Sequence, residues 1–372
     1  MNTYPKKYFG NLDALRFLAF VLVFMEHMVL TNNADIKNSP LYSFYQLHFN
    51  LSSVGVGFFI VLSGFLITWI ILEEYNNTSA FNFSFFWLRR CLRIWPLYFL
   101  MIAIGYILIS LTKQFYSPNV HDMPPAANLF TFTLNFFMAN HGTEFLFFIA
   151  FLWSIGMEEQ FYTLWGIVLK WGRNLFSAIC ILLVIASLAF RVIYLHDNSN
   201  LYFNSLNWIG NFAIGSLLAY YAMKGGKVLE SLQKLSKTTI SIIYILFLLN
   251  LLFYASIYSS DIMTILERFL GSLFFVFILF EQAFCENSLF KLDKLPKLGY
   301  LGKISYGLFC YHGLVILLFT RFINHFGWLN NSLSVFLINP LITFALTVLL
   351  SAISYEYFEK PIMRMRYKLK PA

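Results

Sequence analysis

Long apolar runs recur along almost the whole chain, and no other feature restricts its folding as strongly. A helix that spans a membrane needs roughly 20 mostly apolar residues, because the hydrocarbon core of a bilayer is about 30 Å thick. Ten segments meet this requirement, at about 12–31, 53–73, 94–112, 152–170, 175–196, 204–223, 236–256, 262–284, 300–322 and 334–358. The pattern predicts an all-α, polytopic membrane helix bundle with about ten transmembrane helices.

The composition argues against a water-soluble fold. Hydrophobic residues make up 59% of the chain and charged residues only 12%, which is about half of the ordinary charged fraction. Because so few polar groups are present, lipid must be the solvent over most of the surface. Cys91, Cys180, Cys285 and Cys310 lie in or beside apolar segments without metal-ligand spacing, so we interpret them as packing residues. The apolar stretch 142–151 is too short to span, which indicates an entry segment or a surface helix.

The basic residues indicate the orientation of the helices. With a cytoplasmic N-terminus, twenty of the 26 Lys and Arg residues lie in cytoplasmic tails and loops, from Lys6 and Lys7 to the tail after residue 358. This is the positive-inside pattern, and it predicts an integral membrane protein with both termini in the cytoplasm. Because it also accounts for the net charge of +8, we expect membrane lipids as partners and no nucleic acid. The range 1–372 is predicted to form a single transmembrane domain without an appended soluble domain.

Ionisable residues inside the first apolar segment are the first functional signal, because charged groups within a membrane are costly and mark functional sites by default. Arg16 and His27 are eleven residues apart, almost three helical turns. They therefore share a helical face, with Cα atoms about 16 Å apart along the axis. Asp13 is placed to neutralise Arg16 at i,i+3. For His27, Glu26 is either a partner that sets its tautomer at a functional site or one that satisfies a core histidine.

Three arginines, Arg89, Arg90 and Arg93, stand at the cytoplasmic mouth of the third apolar segment. Their spacings of three and four residues let the guanidinium groups cluster. Guanidinium groups bind phosphate bidentately, which predicts a phosphate-binding site. Contact with anionic lipid head groups explains the same spacing equally well.

Two adjacent glutamates, Glu158 and Glu159, lie within another apolar segment, where even one carboxylate must be paired. Glu158 shares a helical face with Tyr162 at i,i+4. Pairing with Arg16 or with the arginines at 89–93 accounts for one carboxylate. Two together indicate a polar cavity.

Two further segments carry small and polar residues. Gly57 and Gly64 in the second apolar run allow another helix backbone to approach closely, and Ser63 can donate a hydrogen bond into a site. In the ninth run, Tyr306 precedes His312, a second histidine within a predicted span. Cavity lining and ordinary packing explain His312 equally well.

Taken in order, these motifs resemble the acyltransferase family 3 membrane proteins over essentially the whole chain. The matching segments are the Arg-x10-His pair from Arg16 to His27, Gly-x-Phe-Phe-x-x-Ser-Gly-Phe from Gly57 to Phe65, the Arg-rich 88–96, Trp-Ser-Ile-x-x-Glu-Glu-Gln-Phe-Tyr from Trp153 to Tyr162, and the terminal segment from Ser354 to Pro361. Each motif alone is modest, but five in the same order are specific.

The resemblance implies a bacterial cytoplasmic-membrane O-acyltransferase. It would move an acyl group, in the first place acetyl, from cytoplasmic acyl-CoA to a hydroxyl of a surface polysaccharide or lipid-linked glycan. His27 is then the expected general base, with a transient acyl-histidine as the alternative. The other expected site residues are Arg16 with Glu158 or Glu159 for donor orientation, Arg89, Arg90, Arg93 and Ser63 for acyl-CoA binding, and Tyr162, Tyr306 and His312 nearby, with no metal.

Two other functions remain open on the residues alone. A transporter or flippase of a lipid-linked sugar also uses intramembrane Arg, Glu and His, but the chain shows no internal repeat of the kind many transporters have. A non-catalytic partner in a glycan-assembly complex leaves the charges within the membrane unexplained. Turnover of acyl-CoA distinguishes the enzyme from both.

Overall fold

The computed structural model of the protein describes residues 9–112, 123–143 and 147–365, and within these ranges it contains helices and no β-strand. The α-helices in chain order are α1 (Gly10–His27), α2 (Ala34–Lys37), α3 (Pro40–Phe49), α4 (Ser52–Thr78), α5 (Phe83–Thr112), α6 (Ala126–Phe130), α7 (Leu134–His141), α8 (Phe147–Ala150), α9 (Leu152–Trp171), α10 (Phe176–Ile193), α11 (Asn198–Phe203), α12 (Ser205–Lys224), α13 (Lys227–Gln233), α14 (Lys237–Leu252), α15 (Tyr254–Ile257), α16 (Asp261–Phe284), α17 (Pro296–Lys303), α18 (Ser305–His325), α19 (Asn339–Ser354) and α20 (Lys360–Arg364). Short 3₁₀ turns cover Arg173–Leu175, Leu292–Lys294 and Trp328–Asn330, and π-helical turns cover Ser334–Ile338 and Tyr355–Glu359. The predicted all-α class is confirmed for this part of the chain.

Six helical stretches in the described ranges are long and apolar enough to cross a bilayer. They are Pro40–Thr78, Phe83–Leu111, Arg173–Ile193, Asp261–Phe284, Ser305–His325 and Ser334–Arg364. A bent pair, α13 and α14, meets at 82° and makes a seventh if it counts as one span. All ten predicted segments are helical, but the count of about ten transmembrane helices is not confirmed.

The other four predicted spans are shorter or more polar than these six. The 18 residues of α1 include Asp13, Arg16 and Glu26, and α14 has 16 residues. The helix α9 contains Glu158 and Glu159, and α12 contains two asparagines. Helices that direct charged side chains into the interior of a bundle are less apolar than helices surrounded by lipid.

The orientation of the termini stays a prediction. It rests partly on Lys6 and Lys7 and on the basic tail after Met365, which lie outside the described residues. All four cysteines lie within the described ranges, where they are buried and free. Their predicted role in packing is therefore confirmed.

One compact unit comprises the residues through Ala19, Ser53–Phe83 and Gln160–Gly302. In this unit α12 packs against α10 and α16. A β-carbon at Gly64 would overlap the backbone carbonyl of Phe212, so α4 and α12 touch through their backbones. The predicted packing role of Gly64 is confirmed.

A second compact unit comprises Phe20–Ser52, Ser84–Glu159 and the residues from Lys303 onward. In this unit α18 packs against α19 and α8. Phe148 and Ile149 of α8 are fully buried, and a β-carbon at Gly313 would overlap the ring of Phe151. Two of the four residues of α8 thus pack inside the protein, and the interpretation of 142–151 as an entry segment or a surface helix stays a prediction.

Candidate active site

Two histidines from different helices lie side by side in the second unit. His27 is the last residue of α1, and His312 lies within α18. Their ring centroids are 5.8 Å apart. The ring of Phe151 contacts both, with centroid distances of 4.6 Å to His27 and 4.4 Å to His312. Folding thus brings together two histidines that are far apart in the chain.

His312 is held by its own helix. Its Nδ1 lies 2.6 Å from the carbonyl oxygen of Phe309. Because a carbonyl only accepts, Nδ1 carries the proton in the neutral ring and Nε2 is left with a lone pair. His312 is fully buried, and its Nε2 has no hydrogen-bond partner among the described residues. A buried polar atom without a partner costs about 1–3 kcal/mol, which is typical of a group retained for function.

Aromatic rings surround the two histidines. Phe147 lies 6.2 Å from the His27 ring, and Phe20 and Phe309 lie 5.8 Å and 5.6 Å from the His312 ring. His27 is only half-buried, whereas His312 has no exposed surface. Of the pair, His27 is the residue that keeps exposed surface.

The hydrogen bonds of Glu26 lead to the start of α4, which neither of the two expectations for its role beside His27 predicted. Its Oε2 accepts a hydrogen bond of 2.6 Å from the backbone N–H of Ser52, the first residue of α4. The amide of Asn50, oriented so that its nitrogen donates, lies 2.8 Å from the same oxygen. A carboxylate at a helix N-terminus satisfies an otherwise free N–H group and interacts favourably with the helix dipole. The structure thus engages Glu26 with the start of α4.

The glutamate pair lies in the first half of α9. Glu159 is buried, and its Oε2 accepts a hydrogen bond of 3.1 Å from the indole Nε1 of Trp95. Arg90 is close enough to interact electrostatically with Glu159. The pairing of a glutamate with the arginines at 89–93 stays a prediction, which this proximity supports for Arg90 and Glu159. Glu158 is half-buried beside them.

The three predicted phosphate-binding arginines have different neighbours along α5. The guanidinium carbon of Arg89 lies 4.5 Å from the ring centroid of Phe85, and that of Arg90 lies 5.6 Å from Phe86. Arg93 interacts electrostatically with Glu359. The guanidinium groups of Arg89 and Arg90 thus each lie over an aromatic ring of their own helix, and all three arginines are half-buried.

Glu359 was missed as a site residue, although its segment contributed to the family resemblance. Its Oε1 accepts a hydrogen bond of 3.1 Å from Ser354, whose Oγ accepts one of 3.0 Å from Tyr311. Tyr306 donates to the carbonyl of Ile94 at 2.7 Å and so ties α18 to the arginine-bearing helix α5. The signal that could have identified Glu359 is a carboxylate that follows an apolar segment without a break.

The remaining predicted residues lie in the first unit. Arg16 forms an ion pair with Asp13, as the i,i+3 spacing predicted. The hydroxyl groups of Ser63 and Tyr162 lie 3.2 Å apart and form a hydrogen bond. Two predicted site residues, on α4 and α9, are therefore brought into contact.

The sequence analysis also missed a buried charged cluster in the first unit. Arg191 bonds to Glu267 at 2.8 Å, and Arg268 lies 3.2 Å from the same carboxylate. The available signal was the position of Arg191 and Arg268 within or at the ends of apolar runs. Across the described ranges, no group of three or more His, Cys, Asp or Glu side chains is arranged to hold a metal ion.

Comparison with known proteins identifies related chains. A family model described as an acyltransferase domain matches residues 9–356. The O-acetyltransferase OatA of Staphylococcus aureus is 26% identical over 98% of this chain and 59% of its own length. The peptidoglycan O-acetyltransferase OatA of Listeria monocytogenes is 24% identical over 97% of this chain and 57% of its own length. The chain thus spans less than two thirds of these relatives, and no solved structure matches it.

Proposed function

Because the chain belongs to the family defined by this acyltransferase domain, we propose that it is a membrane O-acyltransferase working in the bacterial cytoplasmic membrane. It moves an acetyl group from cytoplasmic acyl-CoA to a hydroxyl of a cell-envelope glycan, either a surface polysaccharide or a lipid-linked precursor. The names of both relatives support acetyl as the acyl group and oxygen as its acceptor. The name of the Listeria relative makes peptidoglycan the first acceptor to test.

The observation that carries this proposal is the pair of His27 and His312. His27 is half-buried, and its neighbour His312 is fully buried with a lone pair that has no partner among the described residues. Acyl transfer to a hydroxyl needs a base that removes the hydroxyl proton as the oxygen attacks, and histidine is the side chain that most often fills this role. Two neighbouring imidazoles supply the base and a place for the resulting positive charge.

In the proposed reaction His27 takes the proton from the acceptor hydroxyl. The hydroxyl oxygen attacks the thioester carbonyl, the C–S bond breaks, and the coenzyme A thiolate leaves and takes up a proton. His312, with its proton fixed on Nδ1 by Phe309, offers the Nε2 lone pair to the imidazolium of His27. A hydrogen bond to a charged group is about twice as strong as a neutral one, so His312 acts as a positioning residue. A transient acyl-His27 is the alternative route.

We assign the phosphates of coenzyme A to Arg89, Arg90 and Arg93. The guanidinium groups of Arg89 and Arg90 lie over the rings of Phe85 and Phe86, and Arg93 interacts electrostatically with Glu359. Positioning of this kind reduces the entropy lost when a ligand binds. Guanidinium groups suit phosphate because they donate two parallel hydrogen bonds.

Arg16 and the hydroxyl pair of Ser63 with Tyr162 are assigned to donor orientation, together with Glu158. The ion pair with Asp13 keeps the Arg16 guanidinium in place. One continuous helix, α1, carries Arg16 and His27. Eleven residues of helix rise by about 16 Å, a distance that a long donor such as acyl-CoA can follow.

Transfer of label from radiolabelled acetyl-CoA to peptidoglycan fragments, measured with detergent-purified protein, tests the proposal. We expect His27→Gln to lower the rate by about 10²-fold or more while donor binding persists. The matched control is His325→Gln, since His325 is exposed at the end of α18 and should leave the rate unchanged. Arg93→Gln should raise the KM for the donor.

The same preparation also tests the alternative function, a transporter or flippase of a lipid-linked sugar. If no donor is bound or consumed with any acceptor, the acyltransferase proposal fails. Movement of a labelled lipid-linked sugar across proteoliposomes would then support transport. Full transfer by His27→Gln would leave the reaction class standing but refute His27 as the base.

A further inference from the structure

The buried charged cluster of the first unit has a carboxylate shared by two guanidinium groups. Arg191 is almost completely buried, and its Nη1 donates to Asn207 Oδ1 at 2.6 Å while Nη2 donates to Glu267 at 2.8 Å. Its Nε lies 3.1 Å and 3.0 Å from the carbonyl oxygens of Thr264 and Ile265. All three nitrogens of Arg191 thus have partners within the protein.

Arg268 is the incompletely satisfied member of the cluster. Its guanidinium stacks 4.0 Å from the ring centroid of Trp208, and Nη1 lies 3.2 Å from Glu267 Oε1 and 3.4 Å from the carbonyl of Ser53. The side chain is 10% exposed, and its Nε has no hydrogen-bond partner in the described part of the chain. Glu267 carries one negative charge, so its carboxylate balances only one of the two cations.

A cavity adjoins this arginine within the same unit. It measures about 330 Å³, with the open space at its mouth included. The polar lining residues include the cluster members Arg268 and Glu267, and the others are Ser53, Asn211, Asn250, Tyr254 and Tyr258. Phe247 and Phe275 form the apolar part of the wall, and Gly57 and Gly271 leave backbone exposed to the cavity.

We propose that this cavity binds one carboxylate of an acidic glycan, with the guanidinium group of Arg268 as its counter-ion. One unbalanced positive charge matches one carboxylate, and a buried charge is stable only when it is paired. A carboxylate is small enough to enter a cavity of this size while the sugar ring stays in the mouth. The amides and aromatic rings of the lining suit the hydroxyl groups and apolar faces of that ring.

This inference deepens the proposed function, since it takes the acyl acceptor as the ligand. Under this proposal the carboxylate of the glycan determines which acceptor binds. The residues that hold it do not include the two histidines. Discrimination of this kind is strong, because a neutral analogue leaves the buried cation unpaired.

Equilibrium binding without donor tests the proposal on the full chain in detergent. The probes are a carboxylate-bearing cell-wall oligosaccharide and the same oligosaccharide with its carboxyl groups reduced to alcohols. We expect the carboxylated form to bind about 10- to 100-fold more tightly, the range expected for one hydrogen bond to a charged group. Arg268→Gln should abolish this difference, and Arg321→Gln, at an exposed arginine of α18, should preserve it.

A second variant keeps the test informative if Arg268→Gln fails to fold. Gly271→Leu keeps every charge and places a side chain where only Phe275 lies near, with nothing closer than 3.8 Å to the added β-carbon. It should weaken binding of the carboxylated probe at least tenfold. Equal binding of both probes by the unaltered protein, or binding of neither, would overturn the proposal.

A competition experiment distinguishes a glycan carboxylate from a lipid head group as the bound anion. Displacement of the bound oligosaccharide by a phosphodiester lipid in mixed micelles would assign the cavity to a lipid head group and refute the glycan carboxylate. The assay omits acetyl-CoA, so its outcome is independent of whether label transfer succeeds. Label transfer with equal use of both probes would refute this inference alone.

Discussion

Replacement of His312 by leucine separates function from stability at the histidine pair. The buried Nε2 has no partner among the described residues, which costs about 1–3 kcal/mol, and leucine removes that cost. The substitution also removes the hydrogen bond from Nδ1 to Phe309, which contributes about 1 kcal/mol. It loses ring contacts with Phe151 and Phe20, each worth about 0.5–1.5 kcal/mol. These contributions largely cancel.

We therefore expect the free energy of unfolding of His312→Leu to lie within about 1 kcal/mol of that of the unaltered protein. The rate of acyl transfer should fall by about tenfold or more, because the lone pair that stabilises the His27 imidazolium is gone. A conservative His312→Gln variant retains an acceptor and should recover part of the rate. A structural role would not produce such a recovery.

Thermal unfolding in detergent and label transfer from acetyl-CoA are measured on the same preparations. The expected pattern is a nearly unchanged Tm with a reduced kcat. A loss of more than about 3 kcal/mol of stability with full transfer would show that His312 is a packing residue and would refute the reasoning from its unpartnered nitrogen.

Three further perturbations test other parts of the structure. Glu26→Gln should retain transfer, because the amide oxygen still accepts from Ser52, whereas Glu26→Leu should cost about 1 kcal/mol of stability by leaving that N–H unsatisfied. Gly64→Ala should lower Tm by overpacking, at about 1–3 kcal/mol, because the added β-carbon meets the Phe212 carbonyl. Asp197 caps α11, and its pKa is lowered because the backbone N–H and the side-chain amide of Asn200 donate hydrogen bonds to its carboxylate. Asp197→Ala should therefore cost about 1 kcal/mol at neutral pH, a difference that disappears as the pH falls through the lowered pKa.

Controls for these variants come from the same chain. Gly271→Ala adds a β-carbon that meets Phe275 only at ordinary contact distance, and it should leave Tm unchanged or slightly raised. Loss of transfer in Glu26→Gln would show that the Glu26 carboxyl takes part in the chemistry of His27. An Asp197→Ala effect that persists at acid pH would contradict the assignment of that carboxylate as a cap. Unchanged Tm in Gly64→Ala would contradict the backbone contact with Phe212.

The sequence was sufficient for properties that depend on neighbouring residues. Apolar runs predict helices because each backbone polar group must be satisfied within lipid, and all ten predicted segments are helical. The i,i+3 spacing predicts the ion pair of Arg16 with Asp13, because such positions face each other on any helix. The number of spans does not follow from hydropathy alone. Whether a polar helix such as α1 or α9 crosses the membrane depends on the helices packed around it as well as on its own hydropathy.

Contacts between helices were decided by tertiary structure. Nothing local connects His27 with His312, or Arg191 and Arg268 with Glu267. Their meeting depends on which helix faces pack together, and that choice is made by side-chain shape over the whole unit. The sequence by itself thus determined the helical class, the family and the candidate ionisable residues. Only packing decided which of them became neighbours, since a contact energy exists only once two surfaces have met.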